Sequence, residues 1–247
     1  MKTLLAGLVI ALSSIAATQA ADLKVLAGGS MTAALGELGP HFEKATGHKL
    51  TIEFGSTPQL IKQVTSGAPF DLGVVPAELF KDEAARAHFV PGPTIDIARV
   101  GYGIAVRAGA PKPDIGTPDT FKQALLRAQS IAFLPESAAG AYVQKVFERL
   151  GIAEAMKVKT KPQTSTSRIA EAIAKGEAEL GVFLVNVLIA PGVELVGPFP
   201  AELQQELVFT ASVAADSKNA DAAKAFIEYL RTPAASAVFK AKGMTPG

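Results

Sequence analysis

Apolar runs of strand length alternate with amphipathic segments of helical period along almost the whole chain. The run 23–27 precedes the segment 31–46, in which apolar residues recur at three- and four-residue spacing from Ala34 to Phe42. The run 49–54 then precedes a second, shorter helical segment. An alternation of strands and helices predicts a parallel or mixed sheet that carries helices on its faces. The sequence therefore predicts an α/β fold.

The composition excludes several classes of protein. The chain has 24 basic and 23 acidic residues among 247, so it lacks the excess of positive charge that nucleic acids and anionic membranes attract. It contains no cysteine, which excludes disulfides and thiolate metal sites. The three histidines, His41, His48 and His88, lie in separate segments and predict no metal site. We expect a mature protein without a cofactor and without nucleic-acid or membrane partners.

The first twenty residues have the pattern of an export signal. Lys2 supplies a positive start, an uncharged apolar run follows, and the small residues Thr18 and Ala20 bracket Gln19 at the end. We predict that residues 1–20 are a signal peptide cleaved near Ala20 and that the mature protein is periplasmic. An uncleaved anchor is the less favoured alternative, because the apolar run is short for a membrane span.

The strands and helices divide into two groups around the strand 97–107, which carries two glycines. The elements at the C-terminus are too few to form a unit of their own, so we expect them to return to the first group. We predict a first lobe of residues 22–100 plus 202–247 and a second lobe of residues 101–201, each a mixed sheet flanked by helices. Two crossing segments would form a hinge, and a monomer would close on its ligand.

Four junctions between a strand and a helix share one chemical character. They read GGSM at 28–31, GSTP at 55–58, ESAAG at 136–140 and TSTSR at 164–168. Each places small or hydroxyl residues where a helix begins, and a helix start offers unpaired N–H groups and the positive end of the helix dipole. Capping alone explains one such junction. Four of them at the carboxyl ends of strands favour an anion site between the lobes.

Five strings along the chain carry a resemblance to a known family. They are AGGSMTAAL, FGSTPQL, GAPFDLGVV, AAGAY and the C-terminal AFIEYLRTPAASAVFKAKGM. In this order they resemble the periplasmic substrate-binding proteins of ABC importers with the type II fold, and within them the molybdate- and tungstate-binding group. The resemblance covers essentially the whole mature chain. It implies a two-lobe protein that holds a small anion and passes it to a transmembrane permease.

The resemblance also implies which residues bind the anion. Ser30 and Ser56 would bind an oxyanion such as molybdate or tungstate through hydroxyl and backbone donors. Ala139 would donate its backbone N–H, and Ser167 would hold the matching position at the fourth junction. With their neighbours at the same junctions, the candidate ligand-binding residues are Gly29, Ser30, Ser56, Thr57, Ala139, Ser167 and Arg168.

The residues at two positions suggest a ligand other than a metal oxyanion. The molybdate-binding pattern has a tyrosine whose hydroxyl reaches the anion, and Leu184 stands at that position here. Asn186 would lie on the same face two residues later if the strand continues, and it would then replace the lost donor. Arg168 is either a solvated residue of the first helical turn or a guanidinium that binds a ligand carboxylate with two N–H groups, and the sequence favours neither. A small organic carboxylate is therefore the alternative to a metal oxyanion.

The leading hypothesis is an extracytoplasmic solute-binding protein that captures a small, molybdate-like oxyanion for ABC import. The alternatives are a binding protein for a small organic carboxylate and an accessory protein that delivers its ligand to a membrane sensor. An enzyme is not predicted, because no histidine stands at a junction to activate Ser30 and Glu136 is the only candidate base there.

Overall fold

The computed structural model describes residues 20–247, so the predicted signal peptide lies outside the described residues apart from Ala20. The strands β1 to β10 are Asp22–Gly28, Lys49–Gly55, Leu72–Pro76, Ile95–Arg107, Ile131–Phe133, Thr160–Pro162, Leu180–Leu184, Val193–Pro198, Glu206–Val213 and Thr245–Pro246. The helices α1 to α10 are Thr32–Thr46, Thr57–Thr65, Glu83–Arg86, Pro118–Arg127, Ala138–Arg149, Ala153–Lys159, Thr166–Ala174, Val185–Leu188, Ala220–Leu230 and Pro233–Ala241. Short 3₁₀ helices span Gly29–Met31, Ala77–Lys81 and Ala201–Leu203. Between residues 20 and 247, no helix has the length and apolar character needed to cross a membrane.

The strands form a mixed sheet. Its main path runs β2–β1–β3–β9–β4–β7–β5–β6, and β8 and β10 also pair with β4. β1 is parallel to β2 and β3, and β5 is parallel to β6 and β7. β9 is antiparallel to both β3 and β4. The predicted α/β fold with mixed pairing is confirmed.

Strand β4 is shared by two lobes. Its residues 95–101 pair with β9, whereas residues 102–105 pair with β7 and residues 103–107 with β8. The strand therefore changes partners between Gly101 and Tyr102, next to the predicted lobe boundary. We call the part built on β1, β2, β3, β9 and β10 the first lobe, and the part built on β5 to β8 the second lobe. The boundaries and the hinge motion stay predictions.

The side chain of Gln204 bridges the two segments that cross between the lobes. Its Oε1 accepts a hydrogen bond from the Tyr102 backbone N–H at 2.8 Å, and its Nε2 donates to the Tyr102 carbonyl at 2.9 Å. The neighbouring Leu203 carbonyl accepts from the Tyr142 hydroxyl at 2.8 Å. Gln204 thus satisfies the backbone of β4 where that strand changes partners. The Tyr102 ring is buried there, and burial raises the pKa of its phenol.

The C-terminal helices return to the first lobe. In α1 the apolar residues at helical spacing from Ala34 to Phe42 are buried, as the periodicity predicts. The centroid of the Phe42 ring lies 4.8 Å from that of Phe226 and 5.4 Å from that of Tyr229. Both partners belong to α9. Aromatic packing of this kind adds to the apolar burial that holds α9 against α1.

The buried carboxylate of Asp71 fastens the segment before α9 to the same lobe. It accepts hydrogen bonds from the Lys24 backbone N–H at 2.8 Å, the Ser217 hydroxyl at 2.7 Å and the Asn219 amide at 3.2 Å. Hydrogen bonds to an ionised carboxylate are stronger than neutral ones. One side chain therefore joins β1, the start of β3 and the C-terminal part of the chain.

Gly140 fixes the start of α5, and its replacement is expected to destabilise the protein. A Cβ at this position would overlap the carbonyl oxygen of Leu134 and would lie 2.7 Å from that of Pro135. Because both obstacles are backbone atoms, Gly140→Ala should lower the free energy of unfolding by about 2 kcal/mol. Chemical denaturation measures this difference.

Gly36→Ala is the matched control for Gly140→Ala. Gly36 lies on the exposed side of α1, and a Cβ there would meet nothing within 4 Å. Alanine should raise the free energy of unfolding by about 0.5–1 kcal/mol, because glycine disfavours a helix interior. Unchanged stability of the Gly140→Ala variant would contradict the packing described for the α5 start.

Candidate functional site

A cleft of about 720 Å³ lies between the two lobes. All four junctions singled out in the sequence contribute to its lining, through residues 28–30, 55–57, 137–139 and 164–167. The first two junctions belong to the first lobe and the last two to the second. The structure therefore brings together the helix starts that the sequence pattern emphasised.

The first turns of several helices lie at the cleft. α2 begins after Ser56 and α7 begins after Ser165, both with extended backbone at the cap position. α5 begins after Ser137, whose hydroxyl accepts a hydrogen bond from the Gly140 N–H at 2.9 Å. The 3₁₀ turn Gly29–Met31 leads into α1. The N–H groups of these first turns and the positive ends of the helix dipoles make the cleft favourable for an anion.

Six of the seven candidate ligand-binding residues line the cleft, and one does not. The six are Gly29, Ser30, Ser56, Thr57, Ala139 and Ser167. Arg168 instead donates a hydrogen bond to Glu171 at 3.0 Å, and its side chain is 60% exposed. Arg168 is therefore paired with a carboxylate of its own helix and lies outside the cleft lining. That the other six bind a ligand stays a prediction.

Hydrogen bonds join the lobes directly around the cleft. The Thr166 hydroxyl donates to the Gly29 carbonyl at 3.1 Å, and the Asn186 amide donates to the Ser30 carbonyl at 2.7 Å. A backbone N–H at the start of α5 donates to the Thr57 hydroxyl at 3.4 Å. A Cβ on Gly29 would lie 3.4 Å from the Thr166 hydroxyl oxygen, at the edge of ordinary contact. The first junction and the start of α7 are therefore in direct contact.

Asn186 reaches the cleft by a different route from the one the sequence suggested. β7 ends at Leu184, whose side chain is fully buried, and α8 begins at Val185. The strand does not continue, so the expected strand face shared by Leu184 and Asn186 does not exist. The turn into α8 nevertheless brings Asn186 into the cleft lining, where its amide contacts Ser30. Asn186 thus joins the two lobes.

Helix α7 supplies the charged residues of the cleft. One face of α7 borders the cleft along its length, through residues 166–167, 170–171 and 174–175. Within the part of the chain that the structure describes, the charged residues of the lining are Glu171 and Lys175. The sequence analysis did not select Glu171 because it considered helix starts alone. The four-residue spacing from Ser167 nevertheless predicts that Glu171 lies on the same face of α7. The described residues include no group of three or more His, Asp or Glu that could hold a metal ion.

Apolar side chains from both lobes also line the cleft. Phe54 of the first lobe is 37% exposed, and Ile189 of the second lobe is 51% exposed. Val187 and Pro191 belong to the same lining. Ligand pockets commonly combine apolar walls with a few directed polar groups. The cleft offers contacts for carbon atoms beside its hydrogen-bond donors.

Two α/β lobes with a ligand-sized cleft between helix starts define the class of periplasmic binding proteins. The family of bacterial extracellular solute-binding proteins matches residues 23–245, and the chain belongs to this family. Among solved structures, the periplasmic molybdate-binding protein of Azotobacter vinelandii has a TM-score of 0.75 at 22% identity, covering 90% of this chain and 98% of that one. The predicted type II binding-protein fold is confirmed.

The relatives with curated names include a binding protein and an enzyme. This chain is 31% identical over 239 residues to an aconitate isomerase from Pseudomonas sp, covering 94% of this chain and 90% of the relative. It is 29% identical over 236 residues to the molybdate-binding protein ModA of Azotobacter vinelandii, covering 92% and 91%. Both alignments cover nearly the whole of this chain, so its similarity to the two relatives is not confined to one segment.

The contact between Thr166 and Gly29 is expected to favour the closed arrangement of the lobes. Thr166→Val removes the hydroxyl while it keeps the shape of the side chain, so one interlobe hydrogen bond of about 1 kcal/mol is lost. We expect the ligand-free variant to have a larger radius of gyration in small-angle X-ray scattering. Thr166→Ser keeps the hydroxyl and is the control. Identical scattering from the valine variant and the parent protein would contradict this role.

Proposed function

We propose that this protein captures a small organic acid with more than one carboxylate in the interlobe cleft and delivers it to the permease of an ABC importer. The observation that carries the proposal is the pairing of donor-rich helix starts with the exposed apolar side chains of Phe54 and Ile189 in one cleft. A carboxylate accepts hydrogen bonds from the donors while its carbon skeleton contacts the apolar side chains. A tetrahedral metal oxyanion has no part that uses the apolar contacts.

The donors suffice for a useful affinity without a buried cation. Hydrogen bonds to a charged group contribute about 1.5–3 kcal/mol each. Roughly five to seven of them would offset the dehydration of the anion and the ordering of the lobes, leaving a binding free energy of about −8 kcal/mol. This free energy corresponds to a dissociation constant of about 1 μM. Such an affinity allows both capture and release.

The names of the relatives support an anionic ligand, but they point to different anions. The name of the Pseudomonas relative points to a tricarboxylate, and that of the Azotobacter relative points to molybdate. Leu184 supports the carboxylate, because it supplies no hydroxyl where the resemblance to molybdate-binding proteins requires one. Molybdate and tungstate are the alternative ligands.

A second candidate function is the isomerisation of an unsaturated tricarboxylate. It is favoured by the 31% identity to an aconitate isomerase over 94% of this chain and by the presence of Glu171 in the cleft lining. Moving a double bond within such an acid requires a group that accepts and returns a proton. Isomerisation would use the same cleft as capture.

A thermal-shift screen tests the ligand class. The mature protein is heated with trans-aconitate, tricarballylate, succinate, molybdate, tungstate, sulfate or phosphate. We expect the carboxylates to raise the melting temperature, because a ligand at 100 times its dissociation constant stabilises the folded state by about 2.7 kcal/mol. Sulfate and phosphate are controls for a general anion effect. Stabilisation by molybdate and tungstate alone would replace the carboxylate with a metal oxyanion.

The hydroxyls of Ser30 and Ser56 are expected to contact the bound anion. The variant that combines Ser30→Ala and Ser56→Ala should bind trans-aconitate at least about a hundredfold more weakly, since it loses two hydrogen bonds to a charged group, each of about 1.5 kcal/mol or more. Isothermal titration calorimetry measures the dissociation constant. Ser66→Ala, at the other end of α2 and outside the cleft, is the control. An unchanged dissociation constant in the double variant would rule out this site.

A further inference from the structure

We infer that Glu171 is the proton acceptor for an allylic proton shift in an unsaturated polycarboxylate bound in the cleft. The inference rests on the proposed function, in which the cleft binds carboxylates. Among the residues that the structure describes, Glu171 is the one carboxylate in the cleft lining, and Lys175 is its one charged companion. A proton shift between carbon atoms needs one such basic side chain within reach of the substrate.

Glu171 lies close to the donors at the start of α7. Ser167 and Glu171 border the cleft on the same face of the helix. Four residues separate them, which is about 6 Å along the helix axis. Side chains of a helix lean toward its N-terminus, so the Glu171 carboxylate is displaced toward the donors. A ligand carboxylate held at the helix start therefore places the next carbon atoms of the ligand beside Glu171.

The ion pairs of Glu171 hold it through one oxygen. The Arg168 guanidinium donates to Oε2 at 3.0 Å, and the Lys175 ammonium lies 3.7 Å from the same oxygen. None of the hydrogen bonds formed within residues 20–247 ends on Oε1. The side chain is 47% exposed. Both ion pairs end on Oε2, so Oε1 is the oxygen with which Glu171 would accept a proton.

The reaction requires a proton acceptor and donors that stabilise the developing charge. In aconitate, a methylene group stands between a carboxylate and a carbon of the C=C double bond. Glu171 takes a proton from this methylene, and the electron pair of the broken C–H bond moves into the double-bond system. The negative charge spreads onto the carboxylate oxygens, where the N–H groups and hydroxyls of the helix starts stabilise it.

The second half of the reaction restores the proton balance. The protonated Glu171 gives a proton to the far carbon of the three-carbon system, so a new C–H bond forms and the double bond moves by one position. No oxidant or reductant takes part. The product has the same connectivity as aconitate, and the conformation about the former methylene bond decides whether the cis or the trans form results. Because Glu171 is half exposed, its proton also exchanges with solvent.

The experiment measures proton transfer separately from binding. The mature protein is incubated with trans-aconitate in D₂O, and proton NMR follows deuterium incorporation and the formation of cis-aconitate. We expect Glu171→Gln to lower both rates at least about a hundredfold, which is the usual contribution of a general base. The dissociation constant of tricarballylate, the saturated analogue, should stay within about tenfold of the parent value.

Two further variants make the result specific. Glu177→Gln removes an exposed carboxylate just beyond α7 and outside the cleft lining, and it should keep the parent rates. Glu171→Asp keeps a carboxylate on a shorter stem and should retain measurable exchange, so it tests the role even if the glutamine variant does not fold. A structural role of the ion pairs would instead lower the melting temperature of both Glu171 variants and leave the exchange rate per folded protein unchanged.

The outcomes distinguish this inference from the proposed function. Binding of tricarballylate without deuterium incorporation by the parent protein would overturn the inference and leave capture of carboxylates intact. Full exchange activity in Glu171→Gln would also overturn it. Failure of every carboxylate to bind would overturn the proposed function and the inference together.

Discussion

The two lobes depend on a single shared strand, because the first half of β4 pairs with β9 and its second half pairs with β7 and β8. Where the partners change, the side chain of Gln204 satisfies the backbone of Tyr102 and fixes the second crossing segment beside the first. Strands of both lobes end near this crossing, and the helices that follow them begin at the cleft. The position of the candidate site is thus a consequence of how the sheet is divided.

The contacts between the lobes also determine the electrostatic character of the cleft. A carbonyl oxygen beside an anion is unfavourable, and the first junction exposes two of them, on Gly29 and Ser30. Donors from the second lobe, the Thr166 hydroxyl and the Asn186 amide, engage both. The helix starts that line the same cleft present the positive ends of their dipoles to it. The contacts between the lobes therefore cover two acceptors beside helix starts that favour an anion.

The features predicted correctly from the sequence are those with a local physical cause. Apolar periodicity identified the long helices, and hydroxyl and small residues identified the helix starts, because capping depends on neighbouring residues alone. Helices α3 and α6 were not predicted, since they are short and depend on packing. The cleft positions of Glu171 and Asn186 depend on how one lobe faces the other. No local pattern contains that information.

Helix α7 shows why binding and proton transfer can share one scaffold. Its first turn supplies donors that favour a carboxylate, and the same donors stabilise the charge that a carboxylate gains when an adjacent carbon loses a proton. The next turn on the same face carries Glu171. A cleft that binds an acid thus already has half of what a proton shift needs, and one side chain a turn further along the helix supplies the rest. Under the proposed function, capture would need the donors alone, and conversion would need that carboxylate as well.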